Sequence, residues 1–417
     1  MDTELARFKD RKNPVDPHAS LAVGWRGVGL TLLSIVLLLV GGDRVWGDDR
    51  VTLPDGFQLS QVAGDQLATN IFCMIAVPDG GVLVSGPGYI KKLIDGDQNG
   101  SFDKAVLVSD FPKSGAQGMA IDGSDLLCVG DGGIWRLSGV LKLDGTKGAE
   151  RPSPVRLFKI STHGEHHAHS IQRGPDGWWY HIAGNHATFD ETKCGGPIKK
   201  RHAGVVMRFS PDFSQREILA HGFRNAYDFA FNSTDQLFTF DSDGERDLGL
   251  PWYRPTRVFE IIPGDDAGWV SKTWKRPSYY FDMPRVLGDA GRSSPTGVVC
   301  YDGSRFPSKY DDAIFLGDWT FGRVLVCERE WKSGKYLPPK EFLKPNDSFG
   351  FPVTDLAVAS DGSLLISVGG RGTEGGVWRV NSTAKRKESE ESLGQTFGSI
   401  GRYFINRRRL KVRSKLL

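Results

Sequence analysis

Short apolar runs come in pairs along this chain, each pair divided by a turn rich in Gly, Asp, Asn or Pro. They fall at residues 75–85 (IAVPDGGVLVS), 119–130 (MAIDGSDLLCVG), 171–184 (IQRGPDGWWYHIAG), 229–240 (FAFNSTDQLFTF), 298–319 (VVCYDGSRFPSKYDDAIFLGDW) and 356–369 (LAVASDGSLLISVG). Two such runs joined by such a turn predict a β-hairpin. A third apolar run with a basic or polar end follows each hairpin: GYIKKLID from Gly88, GGIWRLSG from Gly132, GVVMRFSPD from Gly204, TRVFEIIPGD from Thr256, GRVLVCERE from Gly322 and GGVWRVNS from Gly375. The hairpins begin 44, 52, 58, 69 and 58 residues apart, the spacing of propeller blades with loops of differing length. One small sheet cannot bury both of its faces, so the units must stack around an axis. The pattern therefore predicts an all-β, six-bladed β-propeller. Phe57–Ala63 (FQLSQVA) precedes the first unit and is placed to close the ring on the last one, covering its free edge. A pair of β-sandwiches is the alternative, and it accounts less well for the doubled sixfold series.

Composition agrees with this picture. Among 417 residues there are 52 Gly, 22 Pro and 11 Trp, which suits a turn-rich, aromatic-rich β chain. The formal charge of +3 is unevenly spread. Residues 381–417 hold ten basic and three acidic side chains, residues 1–47 hold six and five, and the body between them holds 37 and 42. An acidic body argues against nucleic acid as a partner, because binding there rests on neutralising phosphates with Lys and Arg. The basic tail, with RRRLKVRSK near its end, reads as disordered or membrane-facing.

The leading segment predicts export. Five basic residues, Arg7, Lys9, Arg11, Lys12 and Arg26, precede an uncharged run at 27–42, and Gly47 offers a small residue for cleavage. That run is short of the roughly 20 apolar residues of a membrane span and suits a signal peptide; a retained signal-anchor, with membrane association through 27–42, is the other reading. Both place the body in a periplasmic or extracellular compartment. Of the five cysteines, Cys73, Cys128, Cys300 and Cys327 sit in strand-like runs and Cys194 in a Gly-rich loop, with no CxxC spacing. They read as buried apolar thiols with room for one disulfide.

Three polar constellations stand out. Six of the nine histidines lie between His163 and His186, and His163, Glu165, His166, His167 and His169 fall in the segment entering the third hairpin. Such segments open on one end of a propeller's axis, where a neutral imidazole can take a proton near neutral pH. Arg224 and Asn225 occupy the equivalent position ahead of the fourth hairpin, and the acidic run Asp241, Asp243, Glu245 and Asp247 follows its second strand. An arginine fork fits a carboxylate or a developing oxyanion, and a dense acidic run fits calcium. Last, Asp95, Asp97, Asn99, Ser101 and Asp103 reproduce alternate positions of an EF-hand calcium loop around Gly100, with Val106 where the closing Glu belongs.

Taken in order, EHHAHSIQRGPDGWWYHIAGNHA, GFRNAYDFAFN, DSDGERDLGLPWYRPTRV, SPTGVVCYDG, FPSKYDDAIFLGDWTFGRV and FPVTDLAVASDGSLLISVGG resemble the membrane-bound dehydrogenase domain of planctomycetes. That domain is similar in turn to the soluble quinoprotein glucose and sorbosone dehydrogenases. The resemblance spans residues 53–380. It implies pyrroloquinoline quinone (PQQ) and calcium at the axial mouth, with a sugar or alcohol as substrate. It also implies a histidine base eight residues before the Gly-Pro-Asp turn, which is His166, with His169 beside it. Arg224 and Asn225 match the pair that touches the quinone, and the neighbourhood of Asp241, Asp243 and Glu245 matches the calcium loop. For the cofactor carboxylates the matching stretch offers Arg323, with Arg292 and Arg371 as substitutes. The chain has no CxxCH haem motif, so electrons would leave through a separate acceptor such as a cytochrome. Two other readings stay open: a calcium-dependent lactonase or other hydrolase on the same propeller, and a propeller that binds without catalysis.

Overall fold

The computed structural model describes residues 50–142, 153–272, 274–346 and 349–384. Within them every one of the six hairpins forms, and each is extended by its third strand. A fourth, outermost strand completes each sheet. Blade one is Cys73–Ala76, Val82–Gly86, Tyr89–Ile94 and Lys104–Ser109; blade two is Gly118–Asp122, Asp125–Gly130, Gly133–Leu137 and Pro154–Lys159. Blade three is Ala168–Arg173, Trp179–Ala183, Gly204–Phe209 and Arg216–Phe223; blade four is Phe229–Phe231, Leu237–Asp241, Thr256–Ile261 and Arg285–Gly291. Blade five runs from Pro295–Cys300 through Ile314–Asp318 and Arg323–Cys327 to Lys340–Pro345, with Val51–Thr52 added at its edge. Blade six is Val353–Val358, Leu364–Val368 and Gly376–Ser382, and its outermost strand is Phe57–Ala63, paired antiparallel with Gly376–Ser382. The chain thus closes its own ring with its first long strand.

Apolar side chains sort into six clusters, each packed between two neighbouring blades, including one between blades six and one. This is why the second strands are mostly apolar: Val82–Gly86 and Leu364–Val368 bury every residue, since each blade is covered on both faces. The innermost strands touch across the axis side of the ring. A Cβ on Gly118 would sit 2.6 Å from Ser170 Cα, and one on Gly297 would sit 2.6 Å from the Leu356 amide nitrogen. Side chains also knit blades together here, with Met74 N–H donating to Asp355 (2.8 Å) and Val298 N–H to Asp228 (2.8 Å).

All five cysteines are free thiols, so the disulfide that the sequence left room for does not form. Among the described residues no helix is long and apolar enough to cross a membrane. The apolar run at 27–42 and the basic tail from 385 onward lie outside the described residues.

Candidate active site

The segments entering each innermost strand, and those joining second to third strands, all reach the same end of the axis. There they enclose a cavity of about 460 Å³ with contributions from all six blades, from Phe72 and Gln117 through His166 and Arg224 to Thr296 and Thr354. His166, His169, Arg224 and Asn225 all line it, so the segments entering blades three and four bring the expected imidazole and guanidinium to one opening.

His166 is positioned by the hairpin that follows it. Beyond the paired strands the backbone bonds continue, with Gly184 N–H donating to His167 O (2.7 Å) and His186 N–H to His166 O (2.9 Å). This delivers Asn185 to the imidazole, whose Nδ1–H donates to Asn185 Oδ1 at 2.7 Å. Nδ1 therefore carries the proton and Nε2 keeps its lone pair. Gly184 is required at this crossing, because a Cβ would stand 2.7 Å from both His166 O and Asn225 Oδ1. Burial holds the His166 imidazole below its usual value, against the opposite pull of its bond to Asn185. His169 is placed differently. It is fully buried, its Nε2–H donates to Asn225 Oδ1 (2.8 Å), its ring lies 4.2 Å from that of Tyr227, and its Nδ1 has no partner. Burial pushes it down to about 3. Of the two expected histidines, His166 is the one with the geometry of a base, and His169 holds Asn225.

Arg224 and Asn225 are fixed by a single carboxylate. Asp241 accepts both of their backbone N–H groups at 2.8 Å, and burial raises its own pKa to about 7. The Arg224 guanidinium donates to Ser242 Oγ (2.8 Å) and pairs with Glu245 (3.2 Å). Asp243 is buried between Arg257 (3.3 Å) and Lys275, and Lys275 also holds Asp247 (2.8 Å). The acidic run is thus mostly consumed by internal partners. Of Asp241, Asp243 and Glu245, the expected calcium ligands, Glu245 alone lines the cavity.

Two basic residues expected at the cofactor lie elsewhere. Arg323 donates to buried Asp318 (2.8 Å), to Ala290 O (3.0 Å) and to Arg292 O (3.3 Å), and pairs with Glu341 (3.2 Å), so its fork fastens blade five internally and to the end of blade four. Arg292 is exposed, and neither residue lines the cavity. Arg371 does line it, with its guanidinium 5.0 Å from the Trp319 ring. In the EF-hand-like loop Asp95 accepts the amides of Asn99 and Gly100, Asp103 accepts that of Gly96, and Asn99 donates to Asp97. These groups close the turn on itself.

Sequence reading missed several residues that line the cavity or position those that do. Asn185 carried a faint signal, as a polar residue just past the second strand of the histidine hairpin. Tyr227 and Gln117 carried none; the Tyr227 hydroxyl donates to Gln117 Oε1, and both residues line a second cavity, of about 510 Å³, further along the axis. That cavity holds Asp228 and Asp355, whose burial and mutual repulsion keep a proton on the pair. His202, His221 and Asp266 also bring ligand-type atoms together, with His202 Nε2–H donating to Asp266 (3.1 Å). Yet His221 Nδ1 accepts the His202 amide at 3.1 Å, so its Nε2 bears the proton that faces Asp266. A metal-bound imidazole donates from its far nitrogen; this one accepts there, and the group is a hydrogen-bonded tie between blades three and four.

Comparison of the sequence with family models and with curated proteins finds no match. Solved structures do match in fold. The PQQ-bound aldose sugar dehydrogenase of Streptomyces coelicolor aligns with a TM-score of 0.58 at 17% identity, over 79% of this chain and 100% of that one. The soluble aldose sugar dehydrogenase of Escherichia coli, in its apo form, aligns with a TM-score of 0.57 at 13% identity, over 78% and 99%. A carbohydrate-active enzyme of family AA12 from Trichoderma reesei, in a calcium structure, aligns with a TM-score of 0.59 at 11% identity, over 80% and 97%. The chain is therefore similar in fold to the soluble quinoprotein sugar dehydrogenases.

Proposed function

We propose that this chain is an exported quinoprotein-type dehydrogenase, which oxidises a sugar or alcohol hydroxyl with PQQ and passes electrons to a separate carrier such as a cytochrome. The observation that carries the reading is the convergence of a neutral His166 with Arg224, Asn225 and Arg371 on one cavity of about 460 Å³, within the size range of small-molecule sites. A flat cofactor bearing carboxylates and quinone oxygens needs cationic forks, an amide donor and an aromatic wall. Arg224, Arg371, Asn225, Trp319 and Phe72 are that set. On the acidic loop Ser242 and Glu245 line the cavity and are the residues that would meet calcium, both of them already holding the Arg224 guanidinium.

When bound, the quinone supplies the acceptor for the hydride leaving the substrate carbon. The rest belongs to the chain. Asn185 holds Nδ1–H of His166, which aims the Nε2 lone pair at a hydroxyl proton. Arg224 offers positive charge where negative charge develops. His169 fixes the Asn225 oxygen and so leaves the Asn225 amide N–H groups free to donate.

Purified protein should reduce an artificial electron-acceptor dye with an aldose panel only when quinone and calcium are added. His166→Ala should lower kcat by about 10²–10⁴, the usual contribution of a positioned base. Hydrolysis of lactones by quinone-free protein would instead support the hydrolase reading, and no quinone binding at all would leave a propeller that only binds.

A further inference from the structure

In a ring of six, blades three and six stand opposite each other across the axis. Even so, Glu165, from the segment entering blade three, meets Arg371, from the segment after the second strand of blade six, in an ion pair of 2.5 Å. Both line the axial cavity, and both side chains are well exposed, at 65% and 60%. A contact between opposed rims must cross the opening, so this pair lies over the way in to His166.

Its two halves are held differently. Arg371 sits on the Trp319 ring (5.0 Å), Trp319 Nε1–H is fixed to Gly369 O (2.9 Å), and the next residue, Gly372, donates its amide to Asn70 (3.0 Å). Glu165 follows Gly164, whose φ of +141° belongs to glycine and whose Cβ, if present, would lie 2.8 Å from the His167 ring. Among the described residues the Glu165 carboxylate has no side-chain partner besides Arg371, so the arginine is the anchored half and the glutamate is the half that can swing. An exposed pair of this kind favours the closed arrangement by a factor of only about two to five. A second carboxylate delivered to the same guanidinium can therefore displace it.

We propose that Glu165 and Arg371 form a clasp across the axial mouth, and that a carboxylate-bearing occupant opens it by taking the place of Glu165 on Arg371. The identity of that occupant rests on the quinone reading; the clasp itself does not. The consequence is selection and order. An acidic occupant enters by exchange, whereas a neutral sugar reaches His166 freely only once the clasp has been exchanged.

Two measurements on the full chain separate the two ideas. In quinone-free protein, acylation of His166 by diethylpyrocarbonate, followed by peptide mass spectrometry, reports access to the mouth. Glu165→Gln and Arg371→Gln should each speed it about two- to fivefold, and 0.5 M NaCl should speed the wild type but neither variant. Equal rates in all three proteins overturn the clasp. PQQ is then titrated by protein fluorescence. Arg371→Gln should weaken binding about tenfold or more, the scale of a hydrogen bond to a charged group, while Glu165→Gln should tighten it at low salt. Weakening by both substitutions overturns the exchange. Absence of quinone binding in every variant, with the acylation differences intact, removes the quinone reading and leaves the clasp standing.

Discussion

At the scale of single residues, the hydrogen bond from His166 Nδ1–H to Asn185 Oδ1 sets how this site titrates. A neutral amide accepts that proton without favouring the imidazolium strongly, so burial prevails and His166 stays a free base below its ordinary value. Asn185→Asp would put a carboxylate on the same proton. The charged imidazolium is then stabilised, its pKa rises, and the base is lost at a higher pH. The acidic limb of the kcat/KM profile should move up by about one unit, while the wild-type limb lies below pH 6.5; an unmoved limb would mean that His166 is not the base. Side-chain chemistry made His166, Arg224 and Asn225 legible, because each stands where a segment enters an innermost strand. The same reasoning misplaced Arg323 and Asp243. Charge says that a partner is needed, not where it is, and here Asp318 and Lys275 supplied it internally.

At the scale of elements, three strands of each blade were legible because they are apolar on both faces or alternate cleanly. The fourth was not. Lys104–Ser109 and Arg285–Gly291 expose several residues on the outer edge of their sheets and carry no strong pattern. The closing strand Phe57–Ala63 is the exception among outermost strands. Leu59 is 2% exposed within the cluster between blades five and six, and the Phe57 ring lies 4.7 Å from Phe306 and 5.1 Å from Phe342. Leu59→Ala should cost about 2–5 kcal/mol through lost burial and the cavity left behind. Val155→Ala, on the outermost strand of blade two at 56% exposure, should stay within about 0.5 kcal/mol. Urea unfolding of both variants makes the comparison. Equal costs would mean that the first long strand does not seal the ring.

At the scale of the whole molecule, the sixfold count announced a closed ring, but the groups locked inside it were not readable, because burial depends on which blades face each other. His169, His181 and His221 are held neutral by burial, at about 3, about 4 and about 4. In the unfolded chain they titrate near 6.5. Their depressed values mean that unfolding takes up protons below pH 6.5, so the stability they lend is present above that pH and is lost as pH falls toward 4. Asp241 acts in the opposite sense. Raised to about 7, it keeps in the fold a proton that the unfolded chain releases above about 4, so its share is present at low pH and is lost as pH rises toward 7. The Asp228–Asp355 pair, which also keeps a proton in the fold, acts in the same sense as Asp241 and offsets much of the histidine slope, so a single histidine is read by difference. His181 isolates one proton of that slope. It is fully buried, its Nδ1–H donates to Ser170 O (2.9 Å), and its Nε2 has no partner. Asparagine can keep the donor without the titration. His181→Asn should therefore lower the slope of unfolding free energy against pH between 4.5 and 6 by about 1.4 kcal/mol per pH unit, the value of one proton. An unchanged slope in urea titrations across that range would show that His181 is protonated in the folded ring, and that its burial between blades is not what keeps it neutral.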